Sequence, residues 1–397
     1  MKITSVEVFK GYAIVVKVNT DEGISGFGES GLAYGNSAEA AFGQCIDYAK
    51  LVIGMDPMNT EEIWNHLHRH TFWGMGGGAV EVGAMSAIDI ACWDIKGKKF
   101  GVPVYQLLGG KTNDNLRTYA SQMQFGWGVG SEGETAGSVN LPGIMRTPED
   151  YYNATKKCME AGFDAVKVDP VFNPMEGLSM ATQGCHHRGA FLHADLRMAT
   201  ERVAAIREAG GEDLDIIIEL HSLLDANTAV ELGQSIQKYR IMYMEEPTQP
   251  LNPALYKTIQ SKIDIPLATG ERSYTRWGFR QFFEDRSISI AQPDICNTGG
   301  FTECKKICDA AHMYDIGIQI HVCGGPIATA AALQLEAVIP NFVIHEHHVG
   351  AIQPICTQTC LYDYEPVNGR FKVPELPGIG QELTKEEMEK CRKVTVE

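Results

Sequence analysis

The segments 216-IIIELH-221, 241-IMYMEEP-247 and 265-IPLATGE-271 decide the fold of this chain. Each is a short apolar run that closes on a carboxylate, and these carboxylates, Glu219, Glu245 and Glu271, stand at an equal spacing of 26 residues. Apolar runs repeated at this pitch are typical of parallel strands in successive βα units, because a crossover helix separates one strand from the next. We therefore predict that the three carboxylates lie close together at the C-terminal ends of neighbouring strands.

Five further runs of the same kind extend the pattern on both sides of this stretch. Helical patterns such as PEDYYNATKKCMEAG and LRMATERVAAIREAG separate them, so the sequence predicts an α/β fold with a closed parallel barrel of the TIM type. An open doubly wound sheet is the alternative, but it would concentrate its ligand near one switch point, whereas candidate chemical residues close most of these strands. The eight predicted strands are LRTYASQ (116–122), AVKVDP (165–170), DIIIEL (215–220), IMYMEEP (241–247), IPLATGE (265–271), SISIAQPD (287–294), GIQIHV (317–322) and FVIHEH (342–347).

The first hundred residues follow a different pattern, in which strands precede helices. Alternation at 2–19 and 21–30 predicts two or three antiparallel strands, and helical periodicity follows from Ser37 to about Gly101. We predict three regions: an α+β capping domain (1–115), a catalytic barrel (116–360) and a C-terminal segment (361–397) that packs back on the capping domain through NGRFKVPELPGIG. Two insertions, 131–146 and 171–193, fall where loops on the catalytic face would build specificity.

Composition and charge exclude several classes of function. With 397 residues, 44% of them apolar and 21% charged, the chain can bury a sizeable core. A formal net charge of −16 argues against a nucleic-acid or anionic-membrane partner. The N-terminus lacks the apolar core of a signal peptide, and no apolar run approaches a membrane span. The eleven cysteines, odd in number and without a CxxC, indicate reduced thiols, so we expect a cytoplasmic protein.

Three convergent carboxylates repel one another unless a cation lies between them. All-oxygen ligands suit a hard divalent ion, Mg²⁺ before Mn²⁺, and zinc is disfavoured because no Cys or His pair stands at zinc-finger spacing. The alternative is that Glu219, Glu245 and Glu271 cap neighbouring helices or pair with lysines. Their common position at strand ends favours a metal site, because the C-terminal ends of barrel strands carry the chemistry.

Two histidines at strand ends are candidates for proton transfer. His321 closes GIQIHV and Asp294 closes the neighbouring strand, so an Asp–imidazole pair could make His321 a general base that takes a proton from carbon. The alternative is a histidine with a purely structural hydrogen bond. His221 follows Glu219 by two residues, so it would point to the same side of the strand and could protonate a leaving hydroxyl.

The second and eighth predicted strands add further polar residues. Lys167 could stabilise an oxyanion or pair with a Glu ligand, and Asp169, on the same side, could be its partner. Glu346, in VIHEHH, would hydrogen-bond a developing enolate. The neighbouring histidines at 345, 347 and 348 could suggest a second metal site, but consecutive strand residues diverge, and we expect two of the three to face solvent.

At these residues the chain resembles the enolase superfamily in its mandelate racemase-like branch, and is most similar to the galactonate dehydratases and related sugar-acid dehydratases. The resemblance covers nearly the whole chain and implies a modified (β/α)7β barrel under an N-terminal capping domain. Superfamily members use a Lys or His base with Mg²⁺ to stabilise an enediolate. The matching segments are SAIDIACWDIKGKKFGVPVYQLLGG (86–110), GERSYTRW (270–277), QPDICNTGG (292–300) and HVCGGPIATAA (321–331).

The resemblance implies roles for several candidates. The chain departs from the family pattern at Lys167-Val168-Asp169, at Glu219, in the second-strand insertion (171–193) and in the HEHH run (345–348). Lys167-Val168-Asp169 stands where racemase-type members carry KxK, which removes one of two bases and favours a one-base elimination, and Glu219 stands where the galactonate enzymes have Asp. The implied roles are ligation of one Mg²⁺ per subunit by Glu219, Glu245 and Glu271, an Asp294–His321 dyad, Glu346 as electrophilic carboxylate, and His221 as the acid for the leaving group.

The implied activity is that of a hydro-lyase of carbohydrate catabolism. It would convert a galactonate-like aldonate to a 2-keto-3-deoxy acid by loss of the C2 proton and the C3 hydroxyl. Substrate contacts are expected from Asp169, Arg272, and the capping-domain loops at Tyr34 and Trp73, where TFWGMGGGAV (71–80) is either a mobile loop over the ligand or a plain interhelix connection. A homo-oligomer is expected. A cycloisomerase or epimerase, a non-catalytic sugar-acid binder and a structural oligomer subunit are the alternatives.

Overall fold

The computed structural model describes residues 1–32, 37–127, 135–136, 139–140, 143–171 and 193–397. The predicted substrate contact Tyr34, most of the two insertions, and the dipeptide His186-His187 lie outside these residues. Within them no helix combines the length and the apolar character needed to cross a membrane. The ten cysteines of the described residues are free thiols, and eight of them are buried.

The N-terminal part is an antiparallel sheet covered on one face by helices. Apolar and polar residues alternate along its strands, so Val6 and Val8 are buried while Glu7 between them is half-buried. Its elements are β1 (Ile3–Lys10), β2 (Ile14–Thr20), β3 (Ser25–Ser30), α1 (Ala38–Val52), α2 (Thr60–Arg69), α3 (Ala79–Phe100) and the short α4 (Val104–Leu107).

Helix α3 packs directly on strand β3, because two glycines of that strand remove the side chains that would separate them. A Cβ at Gly26 would lie 2.1 Å from the carbonyl oxygen of Ala91, and a Cβ at Gly28 would lie 1.9 Å from that of Ala87. Neither position could therefore carry another residue without a shift of the helix. The predicted strand GISGFGES is therefore buried against α3, whose central turns are buried as well.

The second part is a barrel of eight parallel strands, which confirms the predicted fold class. The strand order is β12-β11-β10-β9-β8-β7-β4-β13, and the segment that leads into β13 closes the circle by pairing Phe342 with Ile318 of β12. The elements are β4 (Asn115–Ser121), a two-stranded β5 (Thr135–Ala136) and β6 (Val139–Asn140), α5 (Pro148–Glu160), β7 (Ala165–Val168), α6 (His193–Gly210), β8 (Asp215–Glu219), α7 (Ala226–Ile236), β9 (Ile241–Glu245), α8 (Pro253–Gln260), β10 (Leu267–Thr269), α9 (Thr275–Asp285), β11 (Ile290–Ala291), α10 (Gly300–His312), β12 (Gly317–Ile318), α11 (Pro326–Glu336), β13 (His345–His348) and α12 (Pro354–Thr357).

The interior of the barrel is apolar at its base and polar above it. Alternate strand residues point inward, so several strands contribute first an apolar and then a polar side chain. Ile217 belongs to the apolar layer, and Glu219 of the same strand stands above it. The apolar layer consists of Tyr119, Ala165, Ile217, Tyr243, Ala268, Ile290 and Ile344.

Two buried carboxylates of the N-terminal part cap helices of the barrel. Glu29 in β3 accepts hydrogen bonds from the backbone N–H groups of Gly325 (2.6 Å) and Ala328 (3.0 Å) at the start of α11. Asp89 in α3 accepts one from Thr302 N–H (3.0 Å) in the first turn of α10. Carboxylates satisfy the free N–H groups of a helix start and complement its dipole, so these contacts join the two parts. Burial raises the pKa of each carboxyl to about 7.

The C-terminal segment returns to both parts of the molecule. The short β14 (Arg370–Lys372) pairs antiparallel with barrel strand β4, whereas β15 (Arg392–Val396), after α13 (Lys385–Lys390), pairs with β1. Within NGRFKVPELPGIG, the RFK strand therefore pairs with the barrel and not with the capping domain as expected. Gly378 of the same segment does pair with the capping domain, because its carbonyl accepts the N–H of Val104 (2.9 Å) and its N–H donates to the carbonyl of Val102 (3.0 Å). The strand that extends the N-terminal sheet is the final one, β15, which pairs antiparallel with residues Val6 to Lys10 of β1.

Candidate active site

The ammonium group of Lys167 lies at the centre of the polar layer inside the barrel. Its Nζ atom lies 2.9 Å from both carboxylate oxygens of Glu245, 3.3 Å from Glu219 and 2.8 Å from Glu346. Glu219 and Glu245 are in register on neighbouring strands, so their side chains meet over the same point. All four side chains are at most 3% exposed. Of the two roles considered for Lys167, the structure displays the pairing with glutamates.

The charges in this layer do not balance. Burial favours the neutral form of Glu219, but the charges of His221 and Lys167 outweigh it and lower its pKa to about 2. The pKa of Glu245 moves the other way and is well above its usual range, first because of burial and then because of the neighbouring charge of Glu219. Lys167 and His321 hold the pKa of the buried Glu346 carboxyl below its usual range. The layer thus carries more negative charge than Lys167 compensates.

Glu271, the third predicted ligand, lies two residues beyond the end of the next strand, β10, and has different partners. One of its oxygens lies 2.8 Å from Nε2 of His321, and the other pairs with the guanidinium of Arg272. Arg272 also pairs with Glu246, whose second contact is a 2.7 Å hydrogen bond from the Ser222 hydroxyl. The predicted substrate contact Arg272 is therefore bound to two carboxylates.

A divalent cation fits the chemistry of these donors, although the carboxylates are paired with cationic side chains. Among the residues that the structure describes, no three His, Cys, Asp or Glu side chains are grouped as a metal site. Glu219, Glu245 and Glu271 carry carboxylate oxygens at the ends of three successive strands, and hard divalent cations prefer such oxygen donors. Ligation by these residues stays a prediction.

His321 and Asp294 form a hydrogen-bonded pair. Nδ1 of His321 lies 2.8 Å from an oxygen of Asp294, on the neighbouring strand end, as the sequence predicts. Burial opposes protonation of the imidazole, but the charge of Glu271 and the hydrogen bond to Asp294 outweigh it and raise its pKa well above the usual range. The nitrogen that would accept a proton, Nε2, is the one that contacts Glu271.

A second His–carboxylate pair lies on the other side of the polar layer. Nδ1 of His221 is 3.0 Å from Asp169, and the amide of Gln122 approaches the other ring nitrogen at 3.4 Å. Asp169 was expected to pair with Lys167, and this expectation is wrong, because Lys167 is fully engaged by glutamates. Strand β8 ends at Glu219 and His221 has a left-handed φ of 48°, so a turn rather than strand alternation brings the ring to Asp169.

Several polar partners in the site were not predicted from the sequence. Ser121 donates a 2.6 Å hydrogen bond to Glu346, which also accepts the backbone N–H of Val322 at 3.0 Å. Gln122 and Glu246 complete the surroundings of His221 and Arg272. Each of these residues lies at or beside a strand end, so their position in the predicted strands was the signal that could have identified them.

The histidines around Glu346 diverge, as expected for consecutive strand residues, but two of them do not face solvent. His345 pairs with Glu336 at 2.7 Å and is fully buried, and His347 pairs with Glu365 at 3.1 Å and is 3% exposed. The expectation of solvent-facing positions for two of them is wrong, because the outer face of β13 is covered by α11 and by the C-terminal segment.

Among the predicted contact residues that the structure describes, Trp73 is the most exposed. Trp73 is 73% exposed, and its ring packs edge-on against Phe72, which is 79% exposed. Contact of Trp73 with a substrate stays a prediction.

Family models match the two parts of this chain separately. Residues 1–109 match the mandelate racemase / muconate lactonizing enzyme N-terminal domain, and residues 150–388 match the enolase C-terminal domain-like family. The chain belongs to the mandelate racemase branch of the enolase superfamily. The family assignment confirms the resemblance found in the sequence, and the matched residues include the strands that carry the glutamates and the first three strands of the N-terminal sheet.

Individual members of the superfamily resemble the chain over its whole length. A curated relative, the D-galactonate dehydratase of Pectobacterium atrosepticum, is 32% identical over 97% of this chain and 93% of its own. A crystal structure of an enolase superfamily member from Salmonella Typhimurium is 51% identical, with a TM-score of 0.93 over all of both chains. The 3,6-anhydro-D-galactonate cycloisomerase of Zobellia galactanivorans is 27% identical, with a TM-score of 0.80 over 98% of this chain and 99% of its own.

Proposed function

We propose that this protein is a Mg²⁺-dependent dehydratase that converts a sugar acid, a galactonate-like aldonate, to a 2-keto-3-deoxy acid. The observation that carries the proposal is the presence of two separately held imidazoles at one barrel mouth, His321 on Asp294 and His221 on Asp169. Elimination of water needs a base for the C2 proton and an acid for the C3 hydroxyl, and one residue cannot serve both on opposite sides of a substrate.

The replacement of the racemase-type second lysine by Asp169 supports elimination. A lysine at this position would be a second base, whereas Asp169 instead accepts a hydrogen bond from the ring of His221 and orients it. The charge of Glu219 and this hydrogen bond outweigh burial and raise the pKa of His221, so its ring can carry the proton that a departing hydroxyl needs.

The chain's own residues would divide the work as follows. His321 would take the C2 proton on Nε2, the ring nitrogen that contacts Glu271 in this structure, and Asp294 would stabilise the resulting imidazolium. Lys167 would face the negative charge that develops on the substrate carboxylate with its ammonium. Glu346, whose pKa Lys167 and His321 hold below the usual range, would have to gain a proton before it could donate a hydrogen bond to the same charge. Glu219, Glu245 and Glu271 would hold Mg²⁺, which supplies a Lewis acid that polarises the carboxylate and lowers the pKa of the adjacent carbon.

A cycloisomerase is the second candidate, because the cycloisomerase of Zobellia galactanivorans shares the fold over nearly the whole chain. It would use the same proton abstraction at C2, but its product retains the elements of water. The domain limits 1–115, 116–360 and 361–397, a cytoplasmic location, homo-oligomeric assembly and substrate contacts by Asp169, Arg272, Tyr34 and Trp73 belong to the same proposal.

The deciding experiment is a screen of hexonates, pentonates and aldarates with Mg²⁺. Semicarbazide absorbance detects 2-keto-3-deoxy acids, and proton NMR in D₂O on the same samples detects exchange at C2. A keto acid from one member of the panel supports the proposal and names the substrate. Deuterium at C2 without a keto acid would replace dehydration by cycloisomerisation or epimerisation, and silence in both assays would reject the proposal for this panel.

Two variants separate the roles of the imidazoles. His321→Asn should abolish both C2 exchange and product, because the base is lost. His221→Asn should keep C2 exchange and stop product formation, because only the leaving-group acid is lost. Loss of exchange in both variants would contradict this division of roles.

A further inference from the structure

The eighth barrel strand presents an inward side chain that no step of the proposed reaction uses. Alternate residues of β13 face the barrel interior, so His348 lies on the same side as Glu346 and one pleat nearer the barrel mouth. His348 therefore lies above Glu346, on the mouth side of the layer of Lys167 and the glutamates.

The orientation of the His348 ring is fixed from one side. The backbone N–H of Gly350 donates a 2.9 Å hydrogen bond to Nδ1, so this nitrogen is the acceptor and the neutral ring carries its hydrogen on Nε2. A Cβ at Gly350 would lie 2.9 Å from Nδ1 and 3.6 Å from the hydroxyl of Tyr12. The contact thus depends on a residue without a side chain at position 350.

The other ring nitrogen, Nε2, is a buried donor without an acceptor among the described residues. Buried N–H groups are almost always paired, so the acceptor is expected to come from a molecule that the protein binds. Burial lowers the pKa of His348 to about 4, and Glu346, Lys167 and His321 are among the charges that act on the ring. The ring is therefore neutral at pH 7 and lies beside the reacting groups.

We propose that His348 is a substrate-binding residue whose Nε2–H donates a hydrogen bond to a hydroxyl oxygen of a polyhydroxy acid, beyond its C3 atom. The inference rests on the proposed function, in which the carboxylate and C2 hydroxyl are taken by the metal site and the C3 hydroxyl by His221. The remaining oxygen acceptors of an aldonate are its hydroxyls from C4 onward. A fixed donor at this level discriminates between epimers at one of these carbons.

Two replacements of similar size separate the two ring nitrogens. In His348→Asn the side-chain oxygen can accept the N–H of Gly350 in place of Nδ1, but no donor reaches the position of Nε2. In His348→Gln the longer amide places a donor near that position. His347→Asn is the matched control, because His347 is on the same strand and faces outward toward Glu365.

Kinetics with the acid found in the screen decide whether the donor matters. We expect His348→Asn to lower kcat/KM about 10- to 100-fold, mainly through KM, while His348→Gln and His347→Asn stay within a few-fold of the parent enzyme. Analogues lacking single hydroxyls from C4 onward provide the second readout. One analogue should react equally poorly with the parent enzyme and with His348→Asn, because the acceptor is already missing.

Other outcomes would overturn the inference. An unchanged KM in His348→Asn, or an equal loss of kcat/KM on every deoxy analogue, would mean that Nε2–H donates its hydrogen bond to water or to the protein and not to the substrate. If no acid is dehydrated but one still binds with Mg²⁺, the proposed function fails, and calorimetric affinities of the same variants for that acid decide on His348. A protein that binds no polyhydroxy acid would overturn both.

Discussion

Replacing Lys167 by methionine removes the ammonium that three glutamates share. Lys167 is 1% exposed, and its Nζ atom lies between 2.8 and 3.3 Å from Glu219, Glu245 and Glu346. Methionine is of similar length and uncharged, so packing is largely retained and the change is electrostatic. Removal of one partner from a buried ion pair costs about 3–5 kcal/mol, because the remaining charge stays desolvated. We expect Lys167→Met to lower the free energy of unfolding by about this amount at pH 8 without metal.

The loss should depend on pH and on Mg²⁺. In the variant the glutamates have no ammonium beside them, so their folded-state pKa values rise above those of the unfolded chain. A raised pKa contributes stability at low pH that is lost as the pH rises, so the deficit should be smaller at pH 5 than at pH 8. Mg²⁺ should stabilise the variant more than the parent enzyme, because it supplies the missing positive charge.

The assay is urea unfolding followed by circular dichroism, with EDTA or with millimolar Mg²⁺. Lys98→Met is the control, since Lys98 pairs with the buried Asp94 at 2.8 Å and with Glu382 at 2.7 Å, away from the predicted ligands. Its loss of stability should not respond to Mg²⁺. The reasoning is refuted if metal-free Lys167→Met is as stable as the parent enzyme, or if Mg²⁺ stabilises both lysine variants equally.

Three further predictions follow from the same geometry. Burial raises the pKa of Glu29 to about 7. The stability linked to its protonation is therefore complete below about pH 4.5 and is lost as the pH rises through 7. Glu29→Gln should flatten the dependence of the unfolding free energy on pH, measured by urea unfolding between pH 5 and 8. Asp169→Asn should lower the dehydration rate about 10²- to 10⁴-fold and keep C2 exchange, because it disturbs the ring of His221 alone; equal loss of exchange would contradict it. Addition of Mg²⁺ should lower the pKa of His321, measured by NMR of labelled histidine, because Glu271 then leaves Nε2; an unchanged pKa would place the metal elsewhere.

The barrel could be predicted from the sequence because its signals are local. All eight predicted strands are present, and their residues stand where short apolar runs and following helical patterns placed them. The positions of Glu219, Glu245, Asp294 and His321 follow directly, since a strand end fixes where a side chain starts. This is why the Asp294–His321 pair could be expected before any distance was known.

Partners across the barrel could not be predicted in the same way. Asp169 was assigned to Lys167 because the two share a strand face, but the long lysine side chain reaches the glutamates of three other strands, and Asp169 is left for His221. Two of the three histidines at 345, 347 and 348 were expected to face solvent, but Glu365 of the C-terminal segment packs on His347. Such contacts depend on how far a side chain extends and on where a later segment of the chain packs, and no local sequence pattern indicates either.

The carboxylates of Glu29 and Asp89 have a consequence for how such enzymes can be rebuilt. Each satisfies the first turn of a barrel helix from the other part of the molecule, so the barrel taken alone would begin two of its helices with uncapped N–H groups. A capping domain transplanted from a relative would have to bring equivalent carboxylates at both points. Recombination between superfamily members should therefore succeed only where these two junctions are exchanged together with the helices that they serve.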